Sequence, residues 1–173
     1  MHALHLLRHA KSRWQEDVED RERRLNRRGR EAARSVGRHL PATIGALDLV
    51  LCSSAARTRE TMDLILADYR ARPRIVIEDE LYAASPEKLM ERLRRLDEDD
   101  LNVLLVGHNP GIRELAVTLA DANSRGVRAL VSGKFPTAAR ASFKIPDPWS
   151  ALGRSRYELA AYVTVESLPG DNG

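Results

Sequence analysis

The sequence predicts a single α/β domain of three layers, with a mainly parallel central sheet and helices on both faces. Three observations carry that expectation. Short apolar runs bounded by polar or turn residues recur at 3–7, 47–52, 75–77, 101–106, 141–145 and 160–165, and such runs read as strands. Segments of helical periodicity lie between most of them, and strands alternating with helices give a parallel sheet covered on both sides. The 173 residues show no internal repeat, low-complexity tract or linker, so one core spanning 1–173 is expected.

The first strand runs straight into the polar stretch Arg8-His9-Ala10-Lys11-Ser12. A first helix begins near Asn26, whose side chain can cap it, and runs to about His39 before Pro41 stops it. The second helix runs from about Ala56 to Tyr69, with Met62, Ile65, Leu66 and Tyr69 forming one apolar face. The third starts at Ser85-Pro86, a cap followed by proline at the first helical position, and carries Leu89, Leu93 and Leu96. The fourth follows Pro110-Gly111 and carries Ile112, Leu115, Ala116 and Leu119. The chain after Pro146 is less informative, and 169–173 is expected to fray.

Hydrophobic residues make up 43% of the chain and charged residues 31%, the balance of a well-solvated globular protein rather than a disordered one. The apolar stretch at the N-terminus is too short for a signal peptide's core and is interrupted by His5 and Arg8. No run reaches membrane-spanning length. The one cysteine, Cys52, lies inside an apolar run and reads as a buried structural thiol. A cytoplasmic protein with no membrane partner is expected. The net charge of +3 rests almost wholly on arginines matched by acids. With no aromatic-rich basic stretch and no zinc-finger spacing, nucleic acid is not expected as a partner. The densest basic run, 21–38, includes Glu22 and Glu31 and reads as a solvated face.

In open α/β sheets ligands gather beyond the carboxyl ends of the strands, and the reactive side chains of this sequence fall there. The first strand ends in Arg8-His9, the second in Cys52-Ser53-Ser54-Ala55-Ala56-Arg57-Thr58, the fourth in Val106-Gly107-His108-Asn109-Pro110-Gly111. Folding would bring two histidines, two arginines, hydroxyls and backbone donors to one edge, an inventory suited to a tetrahedral dianion. Alone, His9 or His108 reads as an ordinary half-buried polar residue; together with Arg8 and Arg57 they read as a phosphate site. Arg57 could instead form a surface ion pair with Glu60 or Glu31, and Arg59 is a nearby decoy assigned to the surface. His2, His5 and His39 lack metal-ligand spacing and read as structural or exposed. No metal and no cofactor are expected.

The strand-terminal RHA, the segment SSAARTRET and the turn VGHNPG, in this order, resemble the histidine phosphatase (phosphoglycerate mutase-like) superfamily. RHAKS, RLNRRGREAA, DELYAASPEKL and KFPTAARA extend the resemblance to its SixA-type phosphohistidine phosphatase branch, over about residues 4–145. The resemblance implies a phosphoglycerate mutase-like fold and a metal-independent phosphatase. It makes His9 the nucleophile that accepts the phosphoryl group, with Arg8, Arg57 and His108 holding its oxygens. Glu80 stands where the superfamily places a general acid, with Asp79 and Glu78 as competitors. Electrostatics agree with the clamp: a phosphoryl group in flight needs its oxygens neutralised, and planar guanidinium forks meet two of them in a way a lysine's point charge does not. Nearby arginines also disfavour the protonated form of His9, which keeps it nucleophilic near neutral pH.

Lys11 and Ser12 either contact the phosphate or its carrier, or are ordinary loop residues. Gly107 and Asn109 read as shaping the turn around His108, and the segment 134–141 as packing. The chain lacks a large insertion between Thr61 and the third strand or after Glu80, so an open cleft is expected. Such a cleft suits a phosphorylated protein, in particular a phosphohistidine-bearing signalling domain. Hydrolysis of phosphohistidine on a protein is therefore the leading expectation. A general phosphomonoesterase acting on a small phosphoester is the first alternative, and a non-catalytic phosphate-binding module the second. The nucleophilic imidazole argues against the second, since a binder has no use for it.

Overall fold

The computed structural model describes residues 1–170; the expected fraying of the last three residues lies outside the described residues. The strands are β1 (His2–Arg8), β2 (Leu49–Ser53), β3 (Arg74–Glu78), β4 (Asn102–Gly107), β5 (Arg140–Ile145) and β6 (Leu159–Val163). They form one sheet in the order β3-β2-β4-β1-β5-β6. The first four strands run parallel, while β5 lies antiparallel beside β1 and β6 antiparallel beside β5. The helices are α1 (Arg27–Ile44), α2 (Ala56–Leu66), α3 (Pro86–Leu93), α4 (Gly111–Leu119) and α5 (Val127–Ser132). This is the mainly parallel α/β architecture expected from the strand and helix pattern.

Strand side chains alternate between two cores. Leu4, Leu6, Leu49, Leu51, Val103 and Leu105 pack with residues of α3 and α4, whereas Leu7, Val50, Cys52, Leu104 and Val106 pack with α1 and α2. Both faces of the central strands are therefore dry, which is why they read as continuous apolar runs. Register sets the position of the working edge. Leu7 pairs with Val106, Arg8 with Gly107, and Cys52 with Val106, so β1, β2 and β4 end level with one another. Because β5 runs the other way, pairing Arg140 with Leu7, the segment that precedes it arrives at that same edge.

Asn26 caps α1, accepting the Gly29 N–H at 2.8 Å. The helix does not stop before Pro41 but continues to Ile44, where the Gly45 N–H donates to the Pro41 carbonyl. A proline in the last turn forfeits a single backbone bond, too little to end the helix early. α2 ends at Leu66, short of Tyr69, whose N–H closes a turn on the Leu66 carbonyl at 3.0 Å. Tyr69 nevertheless stays buried in the core that its spacing implied. α5 buries only Leu130 between Gly126 and Gly133; six residues with one fully buried side chain leave no periodic signal in the sequence.

Two glycines bring backbones together near the edge. A Cβ on Gly29 would lie 2.0 Å from the Lys11 carbonyl oxygen, and one on Gly111 would lie 2.1 Å from that of Ala84. Gly29 thus lets α1 close on the loop after β1. That loop is further held by the Asn26 N–H donating to the Lys11 carbonyl at 3.0 Å and by a bridge between Ser12 and Leu25.

Candidate active site

His9 follows β1 directly and is only 7% exposed. Its Nδ1 lies 2.6 Å from the Ala10 carbonyl oxygen. A carbonyl can only accept, so Nδ1 carries the proton and Nε2 keeps a free lone pair. Ala10 is fixed in turn: its N–H donates to Thr61 Oγ1 at 3.0 Å, and the Thr61 hydroxyl donates to the Arg57 carbonyl at 2.7 Å. One buried hydroxyl therefore ties the orientation of His9 to the helix turn that carries Arg57.

Arg57 sits in the first turn of α2 and is 5% exposed. Its Nη1 donates to the Asp20 backbone carbonyl at 2.6 Å, and its Nη2 to Asp20 Oδ2 at 3.0 Å, with His108 Nδ1 3.4 Å from Nη2. His108 follows β4, and its Nε2 is 2.7 Å from Ser53 Oγ at the end of β2. The rings of His9 and His108 lie with centroids 5.3 Å apart. Arg8 donates from Nη1 to the Phe135 carbonyl at 3.1 Å. The Nε atoms of Arg8 and Arg57 are buried without a hydrogen-bond partner.

The structure thus gathers Arg8, His9, Arg57 and His108 at one edge. Arg59 is exposed, while Glu60 pairs with Arg24 and Arg30, and Glu31 with Arg27, so neither acid engages Arg57. Lys11 is exposed and Ser12 half-buried; their backbones anchor the loop to the start of α1. Asn109 Nδ2 donates to the carbonyls of Lys134 and Phe135 at 3.1 and 3.0 Å, joining the turn around His108 to the segment that receives Arg8. His2 and His5 are buried in hydrogen bonds away from this edge.

Glu80 is engaged with arginines of another element. Its Oε1 accepts from Arg95 Nη2 at 2.7 Å and lies 3.4 Å from Arg92 Nε. Its competitors are also engaged, Glu78 with Arg92 and Asp79 with Arg21. The residues Asp79–Leu81 form a tight 3-10 turn whose acids pair with arginines other than Arg8 and Arg57. The residue of this segment that does reach the cluster is Tyr82. Its hydroxyl donates to Asp20 Oδ2, and its ring stands edge-on to His108 with centroids 5.5 Å apart. Asp20, Ser53, Thr61 and Tyr82 were not singled out from sequence. Ser53 had a usable signal, as a hydroxyl on the last residue of an apolar strand; an acid beside a run of mixed charge, such as Asp20, had none.

Burial pushes the His9 imidazole down to about 4, with Arg57, Arg8 and Arg23 acting in the same direction against the bond to Ala10. The arginines expected to keep it neutral therefore come second to desolvation. His108 is pushed down to about 3 by burial, then by His9 and Arg57. The Tyr82 hydroxyl, followed by the Arg57 and Arg23 guanidiniums, holds the Asp20 carboxyl at about 2. At neutral pH the cluster holds two neutral imidazoles, two guanidiniums and one carboxylate.

The model of the histidine phosphatase superfamily (branch 1) matches residues 4–82, the stretch that carries Arg8, His9 and Arg57. The chain belongs to this superfamily. An uncharacterised protein of Mycobacterium tuberculosis is 34% identical over 146 residues, covering 83% of this chain and 90% of that protein. Two solved structures provisionally named phosphohistidine phosphatase SixA are similar over nearly their whole length. The one from Nakamurella multipartitia is 28% identical, with a TM-score of 0.81, covering 94% of this chain and 95% of that one. The one from Agrobacterium tumefaciens is 26% identical, with a TM-score of 0.78, covering 94% and 97%. This histidine phosphatase is thus of the SixA type, with the phosphoglycerate mutase-like fold. Among the described residues, no helix is long and apolar enough to cross a membrane.

Proposed function

We propose that this histidine phosphatase hydrolyses phosphohistidine on a protein by way of a phosphohistidine intermediate on His9. The observation that carries the chemistry is the ring of His9, with Nδ1 tied to Ala10 and Nε2 free in a site that keeps it neutral. The incoming phosphoryl oxygens are met by Arg8 and Arg57, whose buried Nε–H groups thereby gain acceptors. His9 Nε2 attacks phosphorus in line. The bond from phosphorus to the substrate's ring nitrogen breaks, its electron pair stays with that nitrogen, and the phosphoryl group rests on His9. Water then attacks phosphorus, releasing inorganic phosphate and returning the lone pair to Nε2.

Ser53 gives His108 a way to assist. With Arg57 Nη2 facing Nδ1 and able only to donate, Nδ1 accepts and Nε2–H donates to the Ser53 hydroxyl. Once Arg57 turns to the phosphoryl group, Ser53 can donate to Nε2 instead, which leaves the proton on Nδ1 for a phosphoryl oxygen.

The substrate class rests on the acids. Asp20, the carboxylate at the arginine clamp, is held ionised, and Glu80 is turned to Arg92 and Arg95. An alkyl phosphate leaves as a strongly basic alkoxide and calls for a general acid. A phosphorylated imidazole has a second ring nitrogen that water can protonate, so it departs neutral without an acid from the enzyme. The short connections after β2 and β3 favour a bulky carrier such as a folded phosphoprotein.

The test is phosphate release from a phosphohistidine-bearing domain, compared between the natural chain, His9→Ala and a panel of small phosphoesters. A kcat/KM on the domain of about 10⁴ M⁻¹s⁻¹ or more, well above that on any ester and abolished by His9→Ala, supports the proposal. Esters turned over as efficiently as the domain would overturn the substrate class while leaving His9 in its role. Binding without labelled enzyme or free phosphate would instead favour a phosphate-binding module.

A further inference from the structure

Arg140, at the start of β5, is 5% exposed, and among the described residues no carboxylate pairs with it. Its Nη1 donates to Ser142 Oγ. Ser142 passes the chain on, since its hydroxyl faces His5 Nδ1 at 2.7 Å while His5 Nε2 faces Asn102 Oδ1 at 2.8 Å. Asn102 then donates from Nδ2 to the Ile44 and Ala46 carbonyls at 2.7 and 2.8 Å. Every member of this chain beyond Arg140 is neutral: the imidazole of His5 is pushed down to about 4 by burial and by Arg140 itself. A guanidinium buried without a counter-ion is unfavourable, and the hydrogen bond to Ser142 brings it no opposite charge.

Beside Arg140 lies a cavity of about 230 Å³, walled by Val36 and Leu40 of α1, Ala138, Val163 of β6 and Leu168. His39 also lines it, and its Nε2 is buried without a partner. The Tyr69 hydroxyl, likewise buried and partnerless, lies within the field of Arg140. The cavity therefore combines mostly apolar walls, with Thr43, Thr164 and Ser167 among them, and one positive charge that no carboxylate matches among the described residues. A phosphate dianion would bring more charge than one guanidinium matches, and the Thr43 and Ser167 hydroxyls in the lining already donate to backbone carbonyls, so its remaining oxygens would lack donors. A single carboxylate on a short apolar body matches both features. The volume is below the roughly 300–1,000 Å³ of drug-sized sites, which limits the occupant to a small acid.

We infer that this cavity binds a small apolar monocarboxylate, its carboxylate paired with Arg140 and its body packed against Val36, Leu40 and Val163. The site is distinct from the phosphate cluster but backs onto it. The Ala138 N–H donates to the carbonyls of Arg8 and His9 at 3.1 and 3.0 Å, so one wall of the cavity is hydrogen-bonded to the strand end that carries the nucleophile.

Thermal unfolding with hexanoate or phenylacetate tests this, with 1-hexanol as the uncharged control and two variants for location. Arg140→Met removes the charge, and Val163→Phe fills the cavity from its partly exposed side while leaving Arg140 in place. A saturable rise in Tm of about 3 °C or more with the acids, absent with hexanol and lost in both variants, is the expected result. If Arg140→Met does not fold, the same comparison on Val163→Phe decides. No rise with either acid, an equal rise with hexanol, or a rise that survives in the variants would overturn the inference, the last by moving the acid to the phosphate cluster.

Discussion

Acid should destabilise this protein through histidines that it buries neutral, and His5 isolates that effect from catalysis. The Ser142 hydroxyl already accepts a donor from Arg140 and faces His5 Nδ1. Protonating that nitrogen would set two donors on one oxygen and a second cation beside Arg140. Burial first, and Arg140 second, push His5 from 6.5 to about 4. Between those values the unfolded chain binds a proton that the folded chain refuses, so stability falls as pH falls, by about 1.4 kcal/mol per unit and about 3 kcal/mol over the interval. Above 6.5 neither state is protonated, and below about 4 both are, so this group adds no slope in either range. A loss of that size is a large share of the roughly 5–15 kcal/mol that holds a domain folded. Urea unfolding from about pH 7 to about pH 4.5, run on the natural chain and on His5→Gln, measures it. His5→Gln keeps a donor and an acceptor but does not titrate, so its stability should fall less steeply by about one proton's worth, 1.4 kcal/mol per pH unit. Parallel curves would refute the reasoning, because His5 would then be protonated as easily in the folded state as in the unfolded one.

Arg57→Lys should lower kcat/KM by about 10³-fold, since an ammonium cannot reproduce the fork that spans Asp20 and the phosphoryl oxygens; steady-state kinetics on a phosphohistidine domain measure it, and near-natural turnover would mean a point charge suffices. Protonation of His9 removes the attacking lone pair, so kcat/KM should stay level as pH drops through 6.5 and fall only toward about 4, in a profile taken where circular dichroism shows the fold intact. An inflection near 6.5 would contradict a buried neutral imidazole. Glu80→Gln should change kcat less than about twofold, because a working general acid contributes about 10²–10⁴-fold, and a loss on that larger scale would return Glu80 to the chemistry.

The architecture was legible because the parallel strands are buried on both faces and the helices that cover them carry clear stripes, as with Leu89 and Leu93 or Ile112 and Leu115. What escaped depended on single contacts. Pro41 reads as a stop, yet its position in the last turn makes it harmless, and Tyr69 keeps a helical spacing while closing a turn. Arg8, His9 and His108 were legible because each stands at or beside a strand end, and Arg57 because it opens the helix that follows β2, so the topology brings all four to one edge. The partners of Glu80 were not legible because closeness along the chain does not say which way a tight turn aims its carboxylate; Arg92 and Arg95 decide that from another element. Asp20 was invisible for the converse reason, since only the approach of its loop to Arg57 gives it a role. The neutrality of His9 was foreseen from its cations, but the dominant cause is desolvation, which depends on packing that no local motif records.

The most direct measurement is rapid quenching of the enzyme with a ³²P-phosphohistidine domain, followed by mapping of the labelled peptide. The mechanism requires a label on His9 that is acid-labile and stable to alkali, that forms before free phosphate appears, and that is absent from His9→Ala. Phosphate released at the natural rate with no labelled enzyme, or a label that survives in His9→Ala, would contradict it.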